Sequence, residues 1–113
     1  MDAKELAKGK CEPCRGGMPR IPPDIARDFA KALPSWSLSE DATRIARKFR
    51  FEDFAGAMAF VNRVAELAES EGHHPDIAIH WNEVELTLYT HKIGGLHAND
   101  FYMAAKVDQL GAP

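Results

Sequence analysis

At 113 residues, 45% of them hydrophobic, the chain is long enough for one domain with a modest core and too short for two of ordinary size. Lys and Arg number 14 against 17 Asp and Glu, a formal charge of −3 with the signs mixed along the chain, so no basic stripe exists to neutralise phosphates and direct nucleic-acid binding is not expected. No apolar run approaches a bilayer span, and the opening Met1-Asp2-Ala3-Lys4-Glu5-Leu6-Ala7 lacks the apolar centre of a signal peptide, which predicts a cytoplasmic protein with no membrane partner.

Residues 1–20 read as a polar lead to a single domain over 21–113. The feature of the lead is Cys11-Glu12-Pro13-Cys14, followed by Gly16-Gly17. Such a pair can bind zinc or cycle as a dithiol, but structural zinc takes four ligands and the chain has only 2 cysteines. A redox pair belongs at a strand-to-helix junction, whereas the flanking Arg15-Gly16-Gly17-Met18-Pro19 is loop-like. A surface loop is therefore expected, with metal or redox chemistry as the alternative.

Ile21-Pro22-Pro23 leads into a helix over Asp24 to Leu33, with Pro suited to a first turn and Ile25, Phe29, Ala32 and Leu33 on one face. Pro34 ends it. Trp36 to Leu38 and Arg44 to Phe51 then form a hairpin through Ser39-Glu40-Asp41. In its second strand Ile45, Arg47, Phe49 and Phe51 alternate with Arg44, Ala46, Lys48 and Arg50, the basic row being the solvated side of the strand. Asp53 caps a long helix from Phe54 to about Glu71, whose apolar stripe is Phe54, Ala57, Met58, Val61, Val64, Ala65 and Ala68, and Gly72 supplies the left-handed residue at its end. The chain enters His73-His74-Pro75, where Pro75 holds His74 towards extended geometry.

Ile77, Ile79 and Trp81, then Val84, Leu86 and Leu88, have the period-two spacing of two half-buried strands. A tight turn centred on Asn82 and Glu83 would pair Trp81 with Val84, Ile79 with Leu86 and Ile77 with Leu88 on one apolar face. On the other face it would set His80 against Glu85, Ala78 against Thr87, Asp76 against Tyr89 and, beyond the regular ladder, His74 against His91. Lys92-Ile93-Gly94-Gly95-Leu96 reads as a flexible link to a last helix from Ala98 to about Leu110, with Asp100 at the positive end of its dipole. The order α-β-β-α-β-β-α predicts an α+β fold, a four-stranded antiparallel sheet with three helices on one face. The open face and edge strands predict a homo-oligomer.

The histidines carry the chemistry. His80 faces Glu85 and reads as structural, and His97 precedes the last helix, where capping or packing is expected and a ligand role is the alternative. His73, His74 and His91 are brought together by independent arguments. Imidazole has an intrinsic pKa near neutrality, so a cluster can supply acid and base at once. Three histidines and a water would also hold zinc, but adjacent ligands on a stiff loop suit tetrahedral geometry poorly, and acid–base work is preferred.

Glu69-x-x-x-His73-His74-Pro75, an aromatic at Trp81, Thr90-His91 and Asp100 together resemble the pterin-4a-carbinolamine dehydratases. Phe49-x-Phe51-x-x-Phe54 and Gly95-Leu96 support the match, which runs from about Trp36 to Leu110. The resemblance implies an enzyme that removes water from 4a-hydroxytetrahydropterin, giving quinonoid dihydropterin, with no metal or other cofactor, in the recycling of tetrahydropterin. It implies His73 and His91 as proton donors and His74 as positioning the ring. Pro75, Thr90, Lys92 and Ile93 would line the substrate, the last two mainly through backbone groups. Glu69 and Asp100 would orient histidines or bond the pterin, with capping the alternative for Asp100. The chain departs from animal members at His97 and in the Cys-x-x-Cys lead. Animal relatives also act as dimerisation cofactors of a homeodomain transcription factor, so an interaction module is the alternative function, and dehydration of a molybdopterin-related pterin a third. A homodimer or homotetramer is expected.

Overall fold

The computed structural model describes residues 2–13 and 18–111, and its two central strands set the architecture by burying alternate residues. Helix α1 spans Ala3–Ala7, α2 Pro23–Lys31, β1 Ser37–Leu38, β2 Ile45–Arg50, α3 Phe54–Glu71, β3 Asp76–His80, β4 Glu83–Leu88 and α4 Ala98–Asp108, with a 3-10 turn at His91–Ile93 before α4. The strands form one antiparallel sheet in the order β1-β2-β4-β3. On its covered face Ile45 and Phe49 of β2 and Val84, Leu86 and Leu88 of β4 pack in one core with Ala57, Phe60, Val64 and Ala68 of α3 and Phe101, Ala104 and Val107 of α4. The opposite face carries Lys48, Arg50, Glu83, Glu85 and Thr87, none of them buried. The expected α+β fold is therefore the one observed.

Helix α3 forms where expected and for the expected reasons. The Asp53 carboxylate accepts the Gly56 N–H at 2.8 Å, and Gly72 takes the left-handed conformation, φ 65°, that a Cβ disfavours. Its buried stripe differs from the expected one. Phe60 is fully buried against Phe49 and Phe51, whereas Phe54 is 51% exposed and Ala65 faces solvent. The helix starts at Phe54, and its buried stripe begins one turn later at Ala57 and runs through Phe60, Val64 and Ala68. In α2 the same kind of rotation buries Ala26 and leaves Ile25 exposed, and the helix stops at Lys31.

The β3–β4 register is shifted by two residues from the expected one. Ile77 pairs with Leu86, Ile79 with Val84 and His80 with Glu83, so the turn is Trp81-Asn82 with Trp81 at φ 51°. A slip of two keeps every side chain on its face while moving its partner, which is why the alternation of residues could not reveal it. Trp81 leaves the ladder and stands 66% exposed, and Ile77 and Ile79 on the edge strand remain 37% exposed. Asp76 pairs with Thr87 rather than Tyr89, and His74 is not set opposite His91 by the ladder.

Two further segments are more ordered than the sequence reading had them. The lead contains α1, whose Leu6 and Ala7 are buried and which packs on α4, with Lys106 Nζ donating to the Ala7 carbonyl at 2.7 Å. The link after β4 is pinned by a Thr90–Gly95 bridge and by Gly94 in the left-handed conformation, φ 61°. Arg47, on the core side of β2, pairs with Asp108 at 2.6 Å, and Trp36 Nε1 donates to the same carboxylate at 2.9 Å.

Candidate active site

Three backbone features converge at one end of the sheet. Helix α3 closes on Gly72, so His73-His74-Pro75 leaves it abruptly and β3 starts at Asp76. Strand β4 ends at Leu88, and the Thr90–Gly95 bridge folds the His91 turn back beside it. Between them lies a cavity of about 300 Å³, the lower end of the ligand-pocket range. His73, His74, Pro75, Thr90, His91 and Lys92 line it, as do Gly72, Asp76, Tyr89 and Glu12.

Behind the cavity sits Asp100, fully buried. Its Oδ1 is 2.6 Å from His73 Nε2, while Oδ2 accepts the Thr90 hydroxyl at 2.8 Å and the His97 N–H at 3.0 Å. A carboxylate needs donors, so His73 presents Nε2–H to it and Nδ1 is left as the nitrogen that can accept or, once protonated, deliver a proton. His97 Nδ1 in turn accepts the Asn99 N–H at 3.1 Å, completing a reciprocal cap at the start of α4. Asp100 is thus a helix cap and an imidazole anchor together, and His97 is a cap.

The other two imidazoles are more open. His74 Nε2 lies 2.8 Å from Glu69 Oε1, with 60% and 79% of the two side chains exposed. His91 is 3.9 Å from Asp76 Oδ1 through Nε2, and its ring lies 4.1 Å from that of Tyr89. The Arg44 guanidinium sits 4.2 Å from the centre of the same Tyr89 ring. Glu69 and Asp100 therefore reach the cavity through histidines rather than lining it, and Ile93, in the 3-10 turn, is not among its lining residues. Asp76, Tyr89 and Glu12 were not singled out as site residues from the sequence. Asp76 and Tyr89 flank the motif residues and were legible as neighbours; Glu12 was not.

Cys14 lies outside the described residues. Cys11 is half-buried, its N–H donating to Glu71 Oε1 at 3.2 Å, and burial together with the Glu71 carboxylate pushes its thiol up to about 12. A thiol so held stays protonated at neutral pH, which is unfavourable for a nucleophile or metal ligand. Among the described residues no group of three or more His, Cys, Asp or Glu is arranged to hold a metal ion. No helix among them is long and apolar enough to cross a membrane.

A family model described as Pterin 4 alpha carbinolamine dehydratase matches residues 20–110. The chain belongs to this family. Among curated members of the pterin carbinolamine dehydratase family, a Methylococcus capsulatus protein provisionally given the dehydratase name is 49% identical over 112 residues, covering 99% of this chain and 98% of its own. A Halorhodospira halophila protein, provisionally named likewise, is 50% identical over 107 residues, covering 95% of this chain and 98% of its own. The crystal structure of a transcriptional coactivator/pterin dehydratase from Brucella melitensis superposes with a TM-score of 0.76 at 32% identity, over 81% of this chain and 98% of that one. A pterin dehydratase-like protein identified as a RuBisCO assembly factor in the alpha-carboxysome gives 0.60 at 30% identity, over 70% of this chain and 93% of that one. In pterin carbinolamine dehydratase terms, the lead from α1 to Pro19 precedes the matched stretch, yet it supplies the cavity with Glu12.

Proposed function

We propose that this chain dehydrates 4a-hydroxytetrahydropterin to quinonoid dihydropterin and water by acid–base catalysis in the histidine-lined cavity. The observation that carries the reading is that His73, His74 and His91, from a loop and from beyond a strand end, line one cavity, with His73 anchored on buried Asp100. In the reaction the 4a-hydroxyl takes a proton and leaves as water, the N5–H proton passes to a base, and the C4a–N5 double bond forms. His73 and His91 are the proton-transferring groups in this reading, and His74, braced by Glu69, positions the ring. Backbone and side-chain groups at Pro75, Thr90, Lys92 and the adjoining Ile93 complete the surround. The chain's own groups suffice for each step, and the activity is placed in cytoplasmic tetrahydropterin recycling.

The test is the rate on 4a-hydroxytetrahydropterin of the wild type and the His73→Ala, His74→Ala and His91→Ala variants. Loss of a proton-transferring imidazole should lower kcat by roughly two to four orders of magnitude with the fold intact. Wild-type rates in His91→Ala would defeat the assignment.

Self-association belongs to the same proposal. Phe54, Ile77, Ile79 and Trp81 expose apolar surface around the open edge strand β3, and a second copy extending the sheet there would cover them. The same surface favours, as a second reading, an interaction module for another protein. Full-length chain that lacks dehydratase activity but binds a partner stoichiometrically would establish it.

A further inference from the structure

We infer that Glu12 reads the substrate, its carboxylate accepting hydrogen bonds from the 2-amino and N3–H groups of the pterin ring. The inference rests on the pterin reading above and extends it to a residue outside the stretch matched by the family model.

Glu12 lines the cavity, and its backbone is held there by one side chain. Asn99, fully buried at the start of α4, accepts the Glu12 N–H on Oδ1 at 2.9 Å and donates from Nδ2 to the Glu12 carbonyl at 2.7 Å. Both bonds require an amide and fix which way round it stands. The neighbouring residue is tied as well, its N–H to Glu71 and its Sγ to the Asn99 carbonyl at 3.6 Å. A buried amide that engages both backbone groups of Glu12 fixes the place of that segment, and the Glu12 carboxylate takes no part in the clamp.

An ionised carboxylate is acceptor-only, so it recognises donors. The 2-amino-4-oxopyrimidine half of a pterin presents two adjacent donors, N2–H and N3–H, spaced to meet the two oxygens of one carboxylate in the forked geometry that guanidinium groups use. Of the reacting atoms, C4a is the ring-fusion carbon and N5 lies in the pyrazine ring, so the imidazoles are required away from the N2–H and N3–H edge. Asp76, the other carboxylate lining the cavity, lies 3.9 Å from His91 and serves that side. Glu12 is held through Asn99 at the start of α4, next to the Asp100 that anchors His73, whereas Asp76, Tyr89, His91 and Lys92 come from strand ends and the turn after them.

The experiment is a fluorescence titration of the full chain with pterin and with lumazine, which carries a carbonyl acceptor where pterin has its 2-amino group. Wild type should bind pterin at least about tenfold tighter than lumazine, because a site built to accept from an N–H penalises the analogue lacking it. Glu12→Gln should bring the two ligands within roughly threefold of each other, chiefly by weakening pterin, with an unchanged circular dichroism spectrum; Glu12→Asp should retain part of the preference. Wild-type discrimination in Glu12→Gln, or its absence from the wild type, would overturn the inference and leave the dehydratase reading standing. Failure of the wild type to bind either ligand would overturn both.

Discussion

In the proposed dehydratase, Asp100 is the side chain that would serve the fold and the chemistry at once. Its two oxygens accept from His73, Thr90 and the His97 backbone inside a fully buried site, where an unpaired polar group would be costly. Asp100→Asn keeps the shape but puts an amide N–H towards one of these donors. It should lower stability by about 1–3 kcal/mol, the range for an unsatisfied buried group, measured by urea denaturation. It should also lower kcat by at least about tenfold, because His73 loses its charge partner, and by less than removing the imidazole itself. The double variant with His73→Ala should be no slower than His73→Ala alone, since two residues acting through one imidazole are not additive. Additive losses would mean that Asp100 acts on the substrate independently. The residues that could be named from the sequence here were those in the spaced His-His-Pro, Thr-His and Asp motif. Glu12 could not be named, because its approach depends on a buried Asn99 far along the chain.

At the scale of elements, periodicity located every strand and each long helix, and it failed where two solutions have the same period. The β3–β4 slip is the clearest example: both registers put Ile77, Ile79, Val84 and Leu86 on one face, and only the turn geometry at Trp81 separates them. In α3 the expected stripe and the observed one differ by a modest rotation, and the omitted residue, Phe60, proves central to the aromatic contacts with Phe49 and Phe51. Phe60→Ala should therefore cost about 3–5 kcal/mol in thermal or urea unfolding, as expected for a large buried side chain whose site cannot collapse. Phe54→Ala, on the exposed first turn, should cost much less in the monomer. Equal losses would show that the stripe had been assigned to the wrong face. The short helix α1 escaped notice because 5 residues carry little periodic signal, and only packing on α4 reveals its purpose.

For the molecule as a whole, the sheet is finished on one side and unfinished on another. β2 and β4 are covered by helices, while β3 offers an unpaired edge beside partly exposed Ile77 and Ile79 and an exposed indole. Light scattering at micromolar concentration should accordingly return a mass of two or four chains, and Ile77→Lys with Ile79→Lys should shift it towards one. A monomeric wild type would remove the support for this reading. The fold class and the order of elements from α2 onward followed from the sequence because each of those strands and helices is locally self-consistent. A homo-oligomer was expected from the open face and edge strands, but which edge stands exposed becomes visible only when strand order is known. Asp100 lends the molecule one last property. The first turn of α4, the end of β4 and the loop leaving α3 are laced through a single carboxylate, so heat or denaturant that frays any of the three slackens the others and unseats His73 in the same motion. In the proposed dehydratase, His73 would therefore lose its alignment whenever the architecture around Asp100 gives way.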